Sequence, residues 1–140
     1  MSQCEIHADS VLGAQDVRME ILSSRVLVRS ADPERARAFY RDVLGLAVYR
    51  EFPGGTVFFL GQGLLEVSGG GDAEATDATR LWLQVRDLGQ VAAELADHVV
   101  REARRESWGL LEMWISDPDG RLIVLVEVPA DHPLRRDGRE

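Results

Sequence analysis

Two stretches of this chain follow one plan, and that repetition limits the fold more than anything in its composition. The first reads RVLVRSADPERARAFYRDVLGL from Arg25 to Leu46, and the second begins RLWLQVRDLGQVAAEL at Arg80. In the first, Val26 and Val28 alternate with Arg25, Leu27 and Arg29, the period of a strand with one buried face, predicted over Ile21 to Ser30. Asp32 then stands as N-cap with Pro33 at the first helical position, where its missing N–H costs nothing. Ala36, Phe39, Tyr40, Val43 and Leu44 follow at helical spacing, and Gly45 occupies the place of a left-handed C-terminal cap. In the second, Leu81, Leu83 and Val85 alternate with Arg80, Trp82 and Gln84. Asp87 caps a helix whose apolar positions are Leu88, Val91, Ala92, Leu95 and Val99. The same offset separates Arg25 from Arg80 and Asp32 from Asp87, so strand and helix keep one register in both copies.

Each helix is followed by three extended runs. After the first these are Leu46 to Glu51, Thr56 to Leu60 and Leu64 to Ser68, divided by glycines. After the second they are Val100 to Glu106, the least regular, then Leu110 to Ser116 and Arg121 to Val128. The turn Asp117-Pro118-Asp119-Gly120 presets its backbone with proline and supplies a glycine for positive φ, which predicts a hairpin between the last two. The chain is therefore predicted to be an α+β protein of two tandem βαβββ modules, about 21–68 and 80–128, within a single domain of 21–129. The polar, glycine-rich stretch 69–79 reads as their linker, residues 1–20 as an arm without periodicity, and 130–140 as a polar tail.

Composition narrows the chemistry. Twenty-four acidic against sixteen basic residues give a formal net charge of -8, which opposes attraction to nucleic acid or an anionic membrane. Every basic residue is Arg, so Schiff-base chemistry and a lysine-dependent phosphate loop are excluded. With one cysteine, Cys4, no disulfide forms within the chain, and no run approaches the roughly 18 apolar residues of a membrane helix. A cytoplasmic protein is expected.

VRSADPERARAFYRDVLGL and SWGLLEMWISDPDGRLIVLVEV resemble the opening and closing signatures of the vicinal oxygen chelate superfamily. That superfamily includes glyoxalase I, bleomycin-resistance proteins, extradiol dioxygenases, fosfomycin-resistance enzymes and methylmalonyl-CoA epimerase. The resemblance covers roughly 21–129. It implies strands that curl into an open mixed sheet around a pocket, completed or doubled by a homodimer. It also implies, in the metal-dependent members, four ligands on the first and last strands of the two modules. Those positions fall here on Arg25, Glu66, Arg80 and Val124, and only Glu66 carries a metal donor. A shift of one residue brings Ser24, Thr79 and Ile123 or Leu125, which does not restore the set. No cofactor is expected, and a divalent metal enters only if this register is wrong.

His7, His98 and His132 have no ligand-like partners at fixed spacing and are read as surface residues, as are the pairs Asp97-His98 and Asp131-His132. Ser24 and Ser68 have no placed base. The expected pocket then presents Arg25, Leu27 and Arg29 opposite Arg80, Trp82 and Gln84, with Glu66 facing them. Two readings stay open there: an Arg25-Glu66-Arg80 cluster that only fills the vacated site, or one guanidinium left free for a ligand anion beside Trp82 or Trp114. Three functions follow. One is a metal-independent protein that binds an antibiotic-like, aromatic or anionic small molecule through Arg25, Arg29, Glu66, Arg80, Trp82 and Trp114. The second is a lyase, isomerase or dioxygenase with Glu66 as general base or sole retained metal-type ligand. The third is a regulatory domain whose pocket is packed shut.

Overall fold

The computed structural model describes residues 19–71 and 79–136. The arm before residue 19, including Cys4 and His7, and most of the predicted linker lie outside them. The first module runs β1 (Arg25–Arg29), α1 (Pro33–Ala38), β2 (Val48–Phe52), β3 (Gly55–Leu60) and β4 (Gly63–Ser68). The second runs β5 (Leu81–Gln84), α2 (Leu88–Glu94), β6 (Val99–Arg105), β7 (Leu111–Ser116) and β8 (Leu122–Glu127). Each module makes its own open four-stranded mixed sheet, in the orders β1-β4-β3-β2 and β5-β8-β7-β6. The first strand of each pairs in parallel with the last, and the other pairings are antiparallel. The duplicated architecture read from the sequence is the observed one.

Both helices start as their sequences dictate. The Asp32 carboxylate accepts from Arg35 N–H and that of Asp87 from Gln90 N–H, each satisfying an orphan donor of the first turn. Glu127, on β8, accepts from Leu88 N–H and so ties α2 to its own sheet. Gly45 has φ +74° and Gly120 φ +90°, the conformations their turns require.

The element ends differ from expectation in three notable places. Strand β1 begins at Arg25 rather than Ile21, because its partner β4 begins at Gly63 and Arg25 already faces Leu64. Ile21 and Leu22, left without a neighbour, are exposed. The first helix changes after Ala38 to a π-helical turn over Phe39–Val43, with Leu44 N–H donating to the Phe39 carbonyl. That turn buries the adjacent rings of Phe39 and Tyr40 together. Helix α2 ends at Glu94, and Val99 opens β6 instead of continuing the apolar face. Residues Ala96–His98 form a 3₁₀ turn between them.

The helix-facing side chains of both sheets merge into one core. Val28, Phe39, Tyr40, Phe58, Leu65 and Val67 from the first module join Leu81, Leu88, Met113, Ile115, Ile123 and Leu125 from the second. Polar contacts clasp the two modules across this core. Tyr40 donates its hydroxyl to Asp117 Oδ2 at 2.7 Å, and Arg35 donates to the Pro118 carbonyl at 3.1 Å. The rings of Phe39 and His98 meet edge to face at 5.6 Å. Asp117 also accepts from Arg121 Nη1 on Oδ2 and from the N–H groups of Asp119 and Arg121 on Oδ1. This carboxylate, with no exposed side-chain surface, thus takes four donors.

The phenol of Tyr40 is held neutral, its pKa pushed far up first by burial and then by the Asp117 carboxylate. Its folded pKa lies above its unfolded value, so this stabilisation is complete below the ordinary tyrosine value of 10.0 and is lost as pH rises beyond it. Tyr40→Phe is expected to cost roughly 1–2 kcal/mol in urea unfolding at neutral pH and to flatten the alkaline fall in stability. An unchanged urea midpoint would show that the clasp contributes nothing. At the hairpin, Gly120→Val places a β-branched residue at positive φ and is expected to cost about 1–3 kcal/mol, read as a lower melting temperature.

Candidate functional site

Alternation along each strand leaves one face of each sheet turned away from the helices, and the register assigns its side chains. On the first sheet one transverse row is Leu27, Glu66, Val57 and Arg50, and the next is Arg25, Leu64 and Phe59. Arg25 Nη1 lies 2.8 Å from Glu66 Oε1, with a third and a fifth of the two side chains exposed. This pair joins a residue of one row to its diagonal neighbour in the next. Around it the face is apolar and open: Leu27 is 56%, Phe59 47% and Tyr49 49% exposed, the last two rings meeting edge to face at 5.2 Å. Arg29 lies further along β1 on the same face and makes no ion pair among the described residues.

The second sheet carries the equivalent row as Trp82, Val124, Trp114 and Arg101. The Arg101 guanidinium lies 4.2 Å from the Trp114 ring centre, within stacking range, and pairs with Glu106 while donating to the Glu112 carbonyl. Arg101 holds the Glu106 carboxyl below the usual glutamate range, chiefly through that hydrogen bond. Beside this row Trp108 donates its indole N–H to Glu112 Oε2 at 2.9 Å, and the Glu112 side chain is buried. Leu110, Val124, Val126 and Val128 form a small apolar cluster with Trp114 and Leu122 packed on it. Arg80, just ahead of β5, places its guanidinium 5.9 Å from the Trp114 ring centre.

The predicted site residues therefore fall into two sets. Arg25, Arg29 and Glu66 share the first sheet; Arg80, Trp82 and Trp114 share the second. The Arg25-Glu66-Arg80 cluster does not form within the chain, since Glu66 takes Arg25 alone and Arg80 turns to Trp114. The reason lies in the fold: the two modules meet through their helix sides, so their open faces stay apart. Sequence reading missed Arg101, Glu106, Trp108 and Glu112. Bulges in β6 between Val99 and Arg101 and again before Arg104 turn Arg101 to the open face, whereas an unbroken two-residue period would have put it with Val99 on the helix side.

The remaining candidates are occupied elsewhere. His98 packs on Phe39. His132 accepts from Leu134 N–H on Nδ1, which places its proton on Nε2, facing the Trp108 carbonyl at 3.1 Å. A cleft of about 250 Å³ opens between α1 and the β2–β3 turn, lined by Pro33, Arg37, Glu51, Phe52 and Val67, away from both open faces. The donor set does not suit the metal that the resemblance implies: of Arg25, Glu66, Arg80 and Val124 only one has a donor, and Arg25 engages it. Among the described residues no three His, Cys, Asp or Glu side chains converge.

Comparison with known proteins accords with this architecture. The family model described as the Glyoxalase/Bleomycin resistance protein/Dioxygenase superfamily matches residues 23–125. A search of curated protein sequences finds no match. Among solved structures the chain is similar to a putative glyoxalase family protein from Bacillus anthracis, with 20% identity and a TM-score of 0.67 over 81% of this chain and 100% of that one. TioX from Micromonospora sp. ML1 gives 17% identity and a TM-score of 0.65, over 76% and 98% of the two chains. Lactoylglutathione lyase from Agrobacterium tumefaciens gives 18% and 0.60, over 79% and 96%. At these identities the likeness concerns the fold.

The partly exposed Arg25–Glu66 pair is of the kind that contributes about 0–1 kcal/mol. Glu66→Gln is therefore expected to shift the unfolding midpoint by no more than that. A loss above about 3 kcal/mol, the scale of breaking a buried pair, would assign these residues a structural role instead.

Proposed function

Because the chain belongs to the glyoxalase/bleomycin resistance protein/dioxygenase superfamily while keeping a donor at only one of the four positions that the resemblance implies for metal-dependent members, we propose that it is a metal-independent small-molecule-binding protein that works as a homodimer. The observation that carries this reading is the substitution of the ligand positions by Arg25, Arg80 and Val124. An arginine offers no lone pair to a cation and no base to a substrate, but two fixed rows of donors to an anion. The ligand class is an antibiotic-like, aromatic or anionic metabolite, held by Arg25, Arg29, Glu66, Arg80, Trp82 and Trp114. A cytoplasmic setting belongs to the same reading, supported by the single cysteine; among the described residues no helix is long and apolar enough to cross a membrane.

The dimer is supported by what one chain leaves uncovered. Strands β1 and β5 are edges, and unpaired edges flanked by apolar side chains are liabilities that a protein covers. Leu27, Phe59 and Trp82 stand about half exposed on the open faces. A two-fold axis that sets the first sheet of one copy against the second sheet of the other covers both edges twice and brings the Arg25 and Arg80 halves of the site together. Sedimentation at micromolar concentration is expected to give a dimer, and a monomer across that range would defeat this arrangement.

An enzymatic role remains the competing reading, with Glu66 as general base, since Oε2 of Glu66 is not engaged by Arg25. The two are separated by titrating chelator-treated protein with Zn, Ni, Mn and Fe(II) while following bound metal and melting temperature. No stoichiometric binding is expected. One equivalent per chain with clear stabilisation would overturn the metal-independent reading and point to ligands outside the four positions.

A further inference from the structure

The open face of the second sheet differs from that of the first in one respect that bears on what it binds. Trp82 and Trp114 flank Val124 in a single row, one strand to each side. Neighbouring strands are about 4.8 Å apart, so the two indoles are rooted roughly 10 Å apart. That is about twice the 5 Å or so at which aromatic rings attract one another, the room needed for one flat ring between them. Val124 makes the floor of the gap apolar, and Trp82 is 50% exposed, with surface to give to an occupant.

The walls are not equally mobile. Trp114 is held by Arg101, which reaches it from β6, the side away from Val124, and is itself anchored by Glu106. Its indole N–H is buried without an acceptor among the described residues. Arg80 is of the opposite kind: exposed, near Trp114 at 5.9 Å, and in no ion pair among the described residues. On this face Arg101 and Arg104 are both committed to Glu106. Arg80 thus carries a charge with no ion-pair partner among the described residues, and it sits at the end of the aromatic gap.

We propose that the second sheet holds a planar aromatic carboxylate, its ring over Val124 between Trp82 and Trp114 and its anion paired with Arg80. The inference rests on the small-molecule reading above and gives that site its ligand class. The overall acidic charge repels such a ligand at long range, so the local cation carries the selectivity, and affinity falls as salt rises. An aromatic cation meets the same indole faces but is opposed by the charge of Arg80.

The test compares 2-naphthoate, neutral 2-naphthamide and cationic 2-naphthylmethylamine by calorimetric titration of the full-length protein, with the indole N–H signals followed by NMR. The acid is expected to bind at least tenfold more tightly than the amide, and the amine more weakly than either. Arg80→Gln is expected to remove the advantage of the acid while leaving the amide within about twofold. Trp82→Leu, at a half-exposed position that the fold tolerates, is expected to weaken both by tenfold or more. Equal binding of acid and amide, or a preference for the amine, would overturn the carboxylate assignment. If none of the three binds while other members of a small-molecule panel raise the melting temperature, this slot fails and the small-molecule reading stands. If no compound in the panel does so, both fail.

Discussion

The buried carboxylate of Asp117 is the interaction on which the rest of this molecule depends. Two backbone N–H groups, one guanidinium and one phenol converge on it, and the phenol comes from the other module. A carboxylate stripped of water costs several kcal/mol unless its oxygens are answered, so the arrangement is close to all or none. If the modules separate, Asp117 loses Tyr40. Holding the hairpin turn against the π-helical turn seats helix side against helix side, and both open faces then point outward. With the faces so turned, Trp82 and Phe59 stand exposed and the candidate site is divided between two sheets.

Much of the fold was legible because its signals are local. Asp32 and Asp87 cap helices through hydrogen bonds three residues away, and Gly45 and Gly120 adopt positive φ within turns of a few residues. Such features need no knowledge of distant chain, and their repetition at a fixed offset made the duplication plain. The losses came where distant partners decide. Ile21 and Leu22 have the composition of a strand but no strand partner among the described residues, since β4 starts at Gly63. The bulges of β6 rearrange the alternation of Val99 to Arg105, hiding Arg101 from a period-based reading. No sequence pattern shows that Glu66 finds Arg25 and not Arg80, because that choice is made by how the modules are seated.

The duplication also shows how one scaffold gives two different surfaces. Equivalent rows read Leu27, Glu66, Val57, Arg50 on one sheet and Trp82, Val124, Trp114, Arg101 on the other. Arginine holds the outer strand in both, but its task differs: Arg101 stacks on a tryptophan in its own row, whereas Arg50 lies 5.9 Å from Phe52 on its own strand. At the centre a carboxylate stands in one row where valine stands in the other. Glu66 needs a counter-charge when covered and takes Arg25, which commits both groups. Val124 needs none, and its equivalent arginine, Arg80, makes no ion pair among the described residues. The uncharged floor of the second sheet and the cation at its edge therefore belong together.

That coupling bears on what a metal site at these four positions would require. Restoring a carboxylate or imidazole at Val124 alone would place a polar group among Leu110, Val126 and Val128, in an apolar cluster with nothing yet to pair it. Arg80 holds the place relative to position 124 that Arg25 holds relative to Glu66, and pairing the two would reproduce the Arg25–Glu66 arrangement on the second sheet. A metal site would require the arginines at 25 and 80 to change together with the floor, because each guanidinium competes with a cation for the same oxygens. On the metal-independent reading proposed above, single substitutions lead from one ion-paired surface to another on the same strands.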